Sequence, residues 1–179
     1  MNASQEEEPQ EDEISEIPVI GDLGDNASDI CEKLLETPHG GECVLYFDSP
    51  GGSAYSAISL MTLIIMRELN ATGIVAGECS SAALWPFAAC RRRVVTPYSV
   101  LLFHPMKWQS EENVPLVEAA EWARHFGRLE KDMDELLARF LGISIEQLRK
   151  WTYPGRYVSG RELAEAGLAE LVELQDWAR

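Results

Sequence analysis

The chain has 179 residues, 46% of them hydrophobic, enough to bury a core within one domain. Its formal net charge of −15 and pI near 4.5 argue against a nucleic-acid partner, because a polyanion would be repelled. Residues 1–16 carry Glu6, Glu7, Glu8, Glu11, Asp12, Glu13 and Glu16 with almost nothing to bury. They read as an acidic disordered tail, the alternative being a docking tail for a basic partner. This opening has neither the basic nor the apolar segment of a secretory leader. Ala71 to Cys90 is the best membrane candidate, but it contains Glu78 and Pro86 and too little bulk to span, so no membrane is expected. Cys31, Cys43, Cys79 and Cys90 lack metal-ligand spacing, so neither a metal nor a cofactor is expected. They read as inert thiols of a reducing compartment, which places the protein in the cytoplasm.

Ile17 to Ile20 predicts a strand, Gly21 to Asn26 a turn, and Ala27 to Leu35 a helix with Ile30, Leu34 and Leu35 on one face. After His39-Gly40-Gly41, the continuous apolar run Cys43 to Phe47 predicts a parallel strand covered on both faces. It ends in Ser49-Pro50-Gly51-Gly52, and a helix follows from about Ser53 to Leu69. Gly73 to Ala76 is a second buried strand and Ser81 to Cys90 a small-residue helix; Val94-Val95 and Val100 to Phe103 supply further strand signals. This alternation predicts a layered α/β domain with right-handed crossovers.

The later part changes character. From Pro115 to Phe140 apolar residues recur at three- and four-residue steps, which predicts one helix about 40 Å long. Such a helix either packs along the domain edge or projects to meet another subunit. Ser144 caps a short helix, Ser159 and Glu162 form a capping box for another, and Leu168 to Leu174 reads as a final strand.

Chemistry concentrates where strands end and helices begin, at Pro50-Gly51-Gly52 and at Gly77 to Ala83. Glycine lets the backbone approach a ligand and exposes N–H groups, and the amides of Gly52 and Ala82 are the expected oxyanion pair. A serine at a helix start is usually only a cap, and a single histidine such as His39 or His125 is usually a satisfied polar residue. His104 differs because it ends a buried strand, from which its ring can reach Ser81.

These segments together resemble the Clp protease proteolytic subunit family, serine peptidases of the wider crotonase-like fold. Ser49 to Ser53 is similar to the family's Ser-Pro-Gly-Gly-Ser, Gly77 to Ser81 to its Gly-x-x-x-Ser nucleophile segment, and Phe103-His104-Pro105 to its strand-His-Gln-Pro element. The likeness continues through the long helix, which looks like the family's projecting handle, into Ser144 to Leu148 and Arg156 to Ser159. It covers roughly Ile17 to Leu174 and makes residues 17–179 one Clp protease-like serine peptidase domain. The resemblance implies Ser81 as nucleophile, His104 as general base, peptides or unfolded proteins as substrate, and assembly into homo-oligomeric rings. Ser80 is the competing hydroxyl, about 100° away if the segment is helical.

Two departures matter. The family's triad aspartate falls at Gly155, and no carboxylate lies between Glu146 and Glu162. Either a carbonyl or a hydroxyl such as Thr152 or Tyr153 holds the imidazole, or a carboxylate from elsewhere (even a neighbouring subunit) does, or the chain is a ring or scaffold subunit that cuts nothing. The acidic tail also replaces the family's hydrophobic axial segment, which leaves docking to an ATP-driven unfoldase open. A crotonase-like acyl-CoA enzyme using the same amides is a third reading.

Overall fold

The computed structural model describes residues 14–109 and 113–177; most of the expected acidic tail lies outside them. Strand β1 (Ser15–Asp22) opens within the last residues assigned to that tail. It pairs in parallel with β2 (Glu42–Gly51), β2 with β3 (Asn70–Cys79), and β3 with β4 (Arg92–Val95). The two-residue β7 (Glu170–Leu171) closes the far edge, giving the order β1-β2-β3-β4-β7. The carboxyl end of β3 leaves this row. There Glu78 pairs with Val100 of β5 (Val100–Phe103), which runs antiparallel to β6 (Arg156–Ser159). The result is the mixed α/β architecture the sequence predicts.

Helices α1 (Leu23–Glu36), α2 (Ala54–Met66) and α3 (Leu84–Ala89) connect these strands. Ile17, Val19, Leu45, Phe47 and Val75 are buried with Ile30, Leu34, Leu60 and Phe87 of the helices in one core. Val44 and Tyr46 point to the other face and are only half-buried, so β2 is covered fully on one side, not two as expected. The helices supply the difference: they fill one face alone.

Local chemistry moves several boundaries. Gly21 to Asn26 is not a free turn, because the Asp22 carboxylate accepts the Gly24 N–H at 2.6 Å and starts α1 there. Helix α2 stops at Met66, before the positive φ of Glu68. The Ser144 cap and the Ser159–Glu162 capping box form as predicted, opening α5 (Ile145–Thr152) and α6 (Gly160–Glu165). The expected final strand shrinks to β7, which finds only Val94 and Val95 to pair with, and a 3-10 turn follows at Leu174–Trp177.

The long helix α4 (Leu116–Leu141) packs against the domain through its carboxyl-terminal half. Met133, Leu137, Ala138 and Leu141 pack into the domain, whereas Leu116 and Val117 are 85% and 82% exposed. Among the described residues no helix is long and apolar enough to cross a membrane.

Cys43, Cys79 and Cys90 are buried, free thiols, and Cys31 is half-buried. Burial pushes the Cys43 thiol up to about 11 and raises Cys79 and Cys90 as well. Thiolate is the reactive form, so iodoacetamide at pH 8 is expected to alkylate Cys31 first. The other three should react only in denaturant, as read by peptide mass spectrometry.

Candidate active site

Two strand-to-helix junctions meet at the carboxyl edge of the sheet. At the end of β2, the buried Ser49 hydroxyl donates to the Gly21 carbonyl at 2.6 Å and accepts the Gly51 N–H at 3.2 Å. The Ser49 carbonyl accepts the Ser80 N–H at 3.0 Å, which ties this junction to the one after β3. Gly51 and Gly52 have φ values of +102° and +130°, a region L side chains rarely occupy. Space excludes a side chain as well. A Cβ on Gly51 would lie 2.7 Å from both the Ser80 carbonyl oxygen and Ser81 Cβ. One on Gly52 would collide with the Asp22 carboxylate.

Two adjacent serines follow β3 and their environments differ. Ser80 is 1% exposed, and its hydroxyl donates to Glu78 Oε1 at 2.6 Å while accepting the Leu102 N–H at 3.1 Å. It is a pin between β3 and β5. Ser81 has φ +53°, a left-handed conformation that costs a non-glycine residue roughly 1–3 kcal/mol. The segment Ser81–Ala83 is a 3-10 turn ahead of α3, not the first turn of one long helix as predicted. The Ala82 N–H, near the start of that turn, has no acceptor within it.

Ser81, Ala82, Gly52 and His104 all line one cavity of about 440 Å³. The four residues singled out from sequence are thus brought together, although among the described residues no hydrogen bond joins Ser81 to His104. His104 follows β5, and its Nδ1 lies 2.6 Å from the Pro105 carbonyl oxygen. A carbonyl can only accept, so Nδ1 is the donor in this contact, and in the neutral imidazole Nε2 is then the acceptor.

Gly155 stands directly against this histidine. A Cβ there would be 3.1 Å from His104 Cβ and 3.2 Å from the Phe103 carbonyl oxygen, at φ +116°. Restoring an aspartate therefore requires the backbone to shift. Thr152 does not hold the ring either, because its hydroxyl donates to the Leu148 carbonyl at 3.2 Å.

Sequence reasoning missed the opposite wall. Glu130 and Asp134, one turn apart on α4, both line the cavity, and Glu130 Oε1 accepts the Met106 N–H at 2.7 Å. A polar residue between Met133 and Leu137 on the inward face of α4 was the available signal. Burial, reinforced by Glu130 and opposed by Arg149, pushes the Asp134 carboxyl up from 3.8 to about 6. Burial and then these two acids also raise the Tyr153 phenol.

The family model described as Clp protease matches residues 16–175. The chain belongs to the Clp protease family. It is similar to the ATP-dependent Clp protease proteolytic subunit 4 of Rhodococcus jostii (strain RHA1), with 29% identity over 131 residues. That match covers 72% of this chain and 66% of the relative's length.

Asp134 generates a pH prediction. The folded chain binds its proton more tightly than the unfolded chain does. The ionisation penalty is therefore absent below the unfolded value near 3.8 and complete above about 6. A shift of that size corresponds to about 3 kcal/mol. Asp134→Asn is expected to stabilise the fold by about 2 kcal/mol or more at pH 8 and by much less at pH 4. Urea denaturation at the two pH values checks this; equal effects at both would contradict it.

Proposed function

We propose that the protein is a serine endopeptidase subunit that hydrolyses peptide bonds through an acyl-enzyme on Ser81. The observation that carries this reading is the shared cavity of Ser81 and His104, with the His104 Nδ1 proton held by the Pro105 carbonyl. Ser81 Oγ attacks the scissile carbonyl as its proton passes to His104 Nε2. The carbonyl oxygen, now negative, is received by the Gly52 and Ala82 amides, each such donor being worth roughly 3 kcal/mol in comparable sites. As the C–N bond breaks, Nε2 returns the proton to the departing amine. A water, deprotonated by the same nitrogen, then splits the ester and regenerates the serine.

A triad aspartate does two things: it fixes the tautomer and it stabilises the imidazolium. The Pro105 carbonyl does the first. As a neutral dipole it does less of the second. Loss of the aspartate in other serine hydrolases, wrong tautomer included, costs about 10⁴-fold. The deficit here is expected to be smaller than that, so turnover is slow and measurable.

A fluorophosphonate is expected to label Ser81 in the assembled protein. Labelling should vanish in Ser81→Ala and fall by about 10³-fold or more in His104→Ala. An unlabelled wild-type particle would instead support the second reading, a catalytically silent ring subunit, which the glycine at position 155 favours.

The substrate class we assign is peptide or unfolded protein, and the assembly a homo-oligomeric ring. Support for assembly comes from the front half of α4. Leu116 and Val117 stand in solvent, and behind them Trp122 and Phe126 meet the ring of Trp108, with His125 against Phe126. A helix with such an apolar edge is stabilised by a partner. Light scattering at micromolar concentration is expected to show an assembly well above the monomer mass. A monomer would contradict it.

A further inference from the structure

We propose that the cavity beside Ser81 receives the side chain of the residue whose carbonyl is cleaved and selects a basic one, lysine or arginine, with Asp134 setting the preference. This rests on the peptidase reading above. It is carried by a mismatch between the cavity walls and one side chain. Most of the wall is apolar: Trp85, Met106, Trp108 and Phe126 contribute to it. The Trp85 indole N–H is already committed to the Met133 carbonyl at 2.8 Å, so the cavity meets its ring rather than its donor. Walls of this kind alone would select a leucine or phenylalanine.

Asp134 changes the outcome. The residue is 8% exposed, it lines the cavity, and it makes no hydrogen bond among the described residues. A carboxylate at a largely apolar wall, with no donor from the chain, is partly desolvated, and a guest that brings a donor improves its surroundings. Glu130 adds a second acid to the same wall, and its Oε1 is occupied by the Met106 N–H. The pKa of Asp134, near 6, leaves it mostly ionised at neutral pH.

The cations already nearby do not fill this role. Lys107 also lines the cavity, but it is an exposed residue on the loop that follows His104 and makes no ion pair with Asp134 among the described residues. Arg149 opposes the upward shift of Asp134 from α5 but is not among the cavity-lining residues. A lysine or arginine side chain suits both parts of the site. Its methylenes lie along the aromatic wall and its charged head reaches Asp134. A neutral apolar residue would bury Asp134 further with nothing to bond, and an acidic residue would be repelled by both carboxylates.

The test uses full-length assembled protein and peptidyl-aminocoumarins that differ only at the cleaved residue. The expected result is a kcat/KM for arginine and lysine about tenfold or more above that for norleucine, which has a similar stem without charge. In Asp134→Asn that ratio should fall to within about threefold; the readout is the ratio, not the absolute rate. Norleucine equal to or better than arginine in the wild type overturns the proposal, even where the fluorophosphonate labels Ser81. If Ser81 is not labelled, the preference is read without chemistry by tryptophan fluorescence, titrating N-acetylarginine amide against N-acetylnorleucine amide. Tighter binding of the cationic amide by a similar ratio supports cation selection and leaves only the peptidase reading to fall. Equal affinities, or no saturable response to the cationic amide, overturn the selection itself.

Discussion

The hydrogen bond from the Ser80 N–H to the Ser49 carbonyl, with Gly51 packed beneath it, is the constraint on which the site depends. It joins the ends of two parallel strands that would otherwise feed their helices independently. The contact is close because Gly51 has no Cβ: the backbone of one junction sits where a side chain of the other would be. Ser49 and Ser80, both buried, spend their hydroxyls on this joint and on β5. Their neighbour Ser81 is left with its side chain at the cavity. Two serines of the same kind are separated in role by one residue of backbone geometry.

The histidine is held by a different economy. Gly155 fits its backbone closely against the imidazole-bearing residue, and Nδ1 of the ring turns to the adjacent Pro105 carbonyl. A carbonyl in this place orients the ring without bringing a full charge. The carboxylates that do occur near the site are on the far wall, on α4, and one of them holds the Met106 amide rather than the ring. The acidic groups near the histidine thus line the cavity from α4 and do not back the ring.

Much of the scaffold was legible because it rests on local chemistry. The apolar run at Cys43 to Phe47, the Ser144 cap and the Ser159–Glu162 box each carry their reason in a few adjacent residues. Strand β6 was not legible: only Val158 of its four residues is buried, and its shape comes from pairing with β5. The grouping of Ser81, His104, Gly52 and Ala82 followed from strand ends and family likeness. The Pro105 carbonyl could not be foreseen, since every residue has one and only the fold decides which is used. Asp134 was hidden in a helix whose periodicity drew notice to its apolar neighbours.

The left-handed backbone at Ser81 has an energetic corollary. Glycine would sit there without penalty, so the native chain gives up folding free energy to keep a hydroxyl in that spot. Glu68 and Asn113 share this left-handed backbone without lining the cavity, so at Ser81 the strain matters for where it leaves the hydroxyl: at the cavity wall.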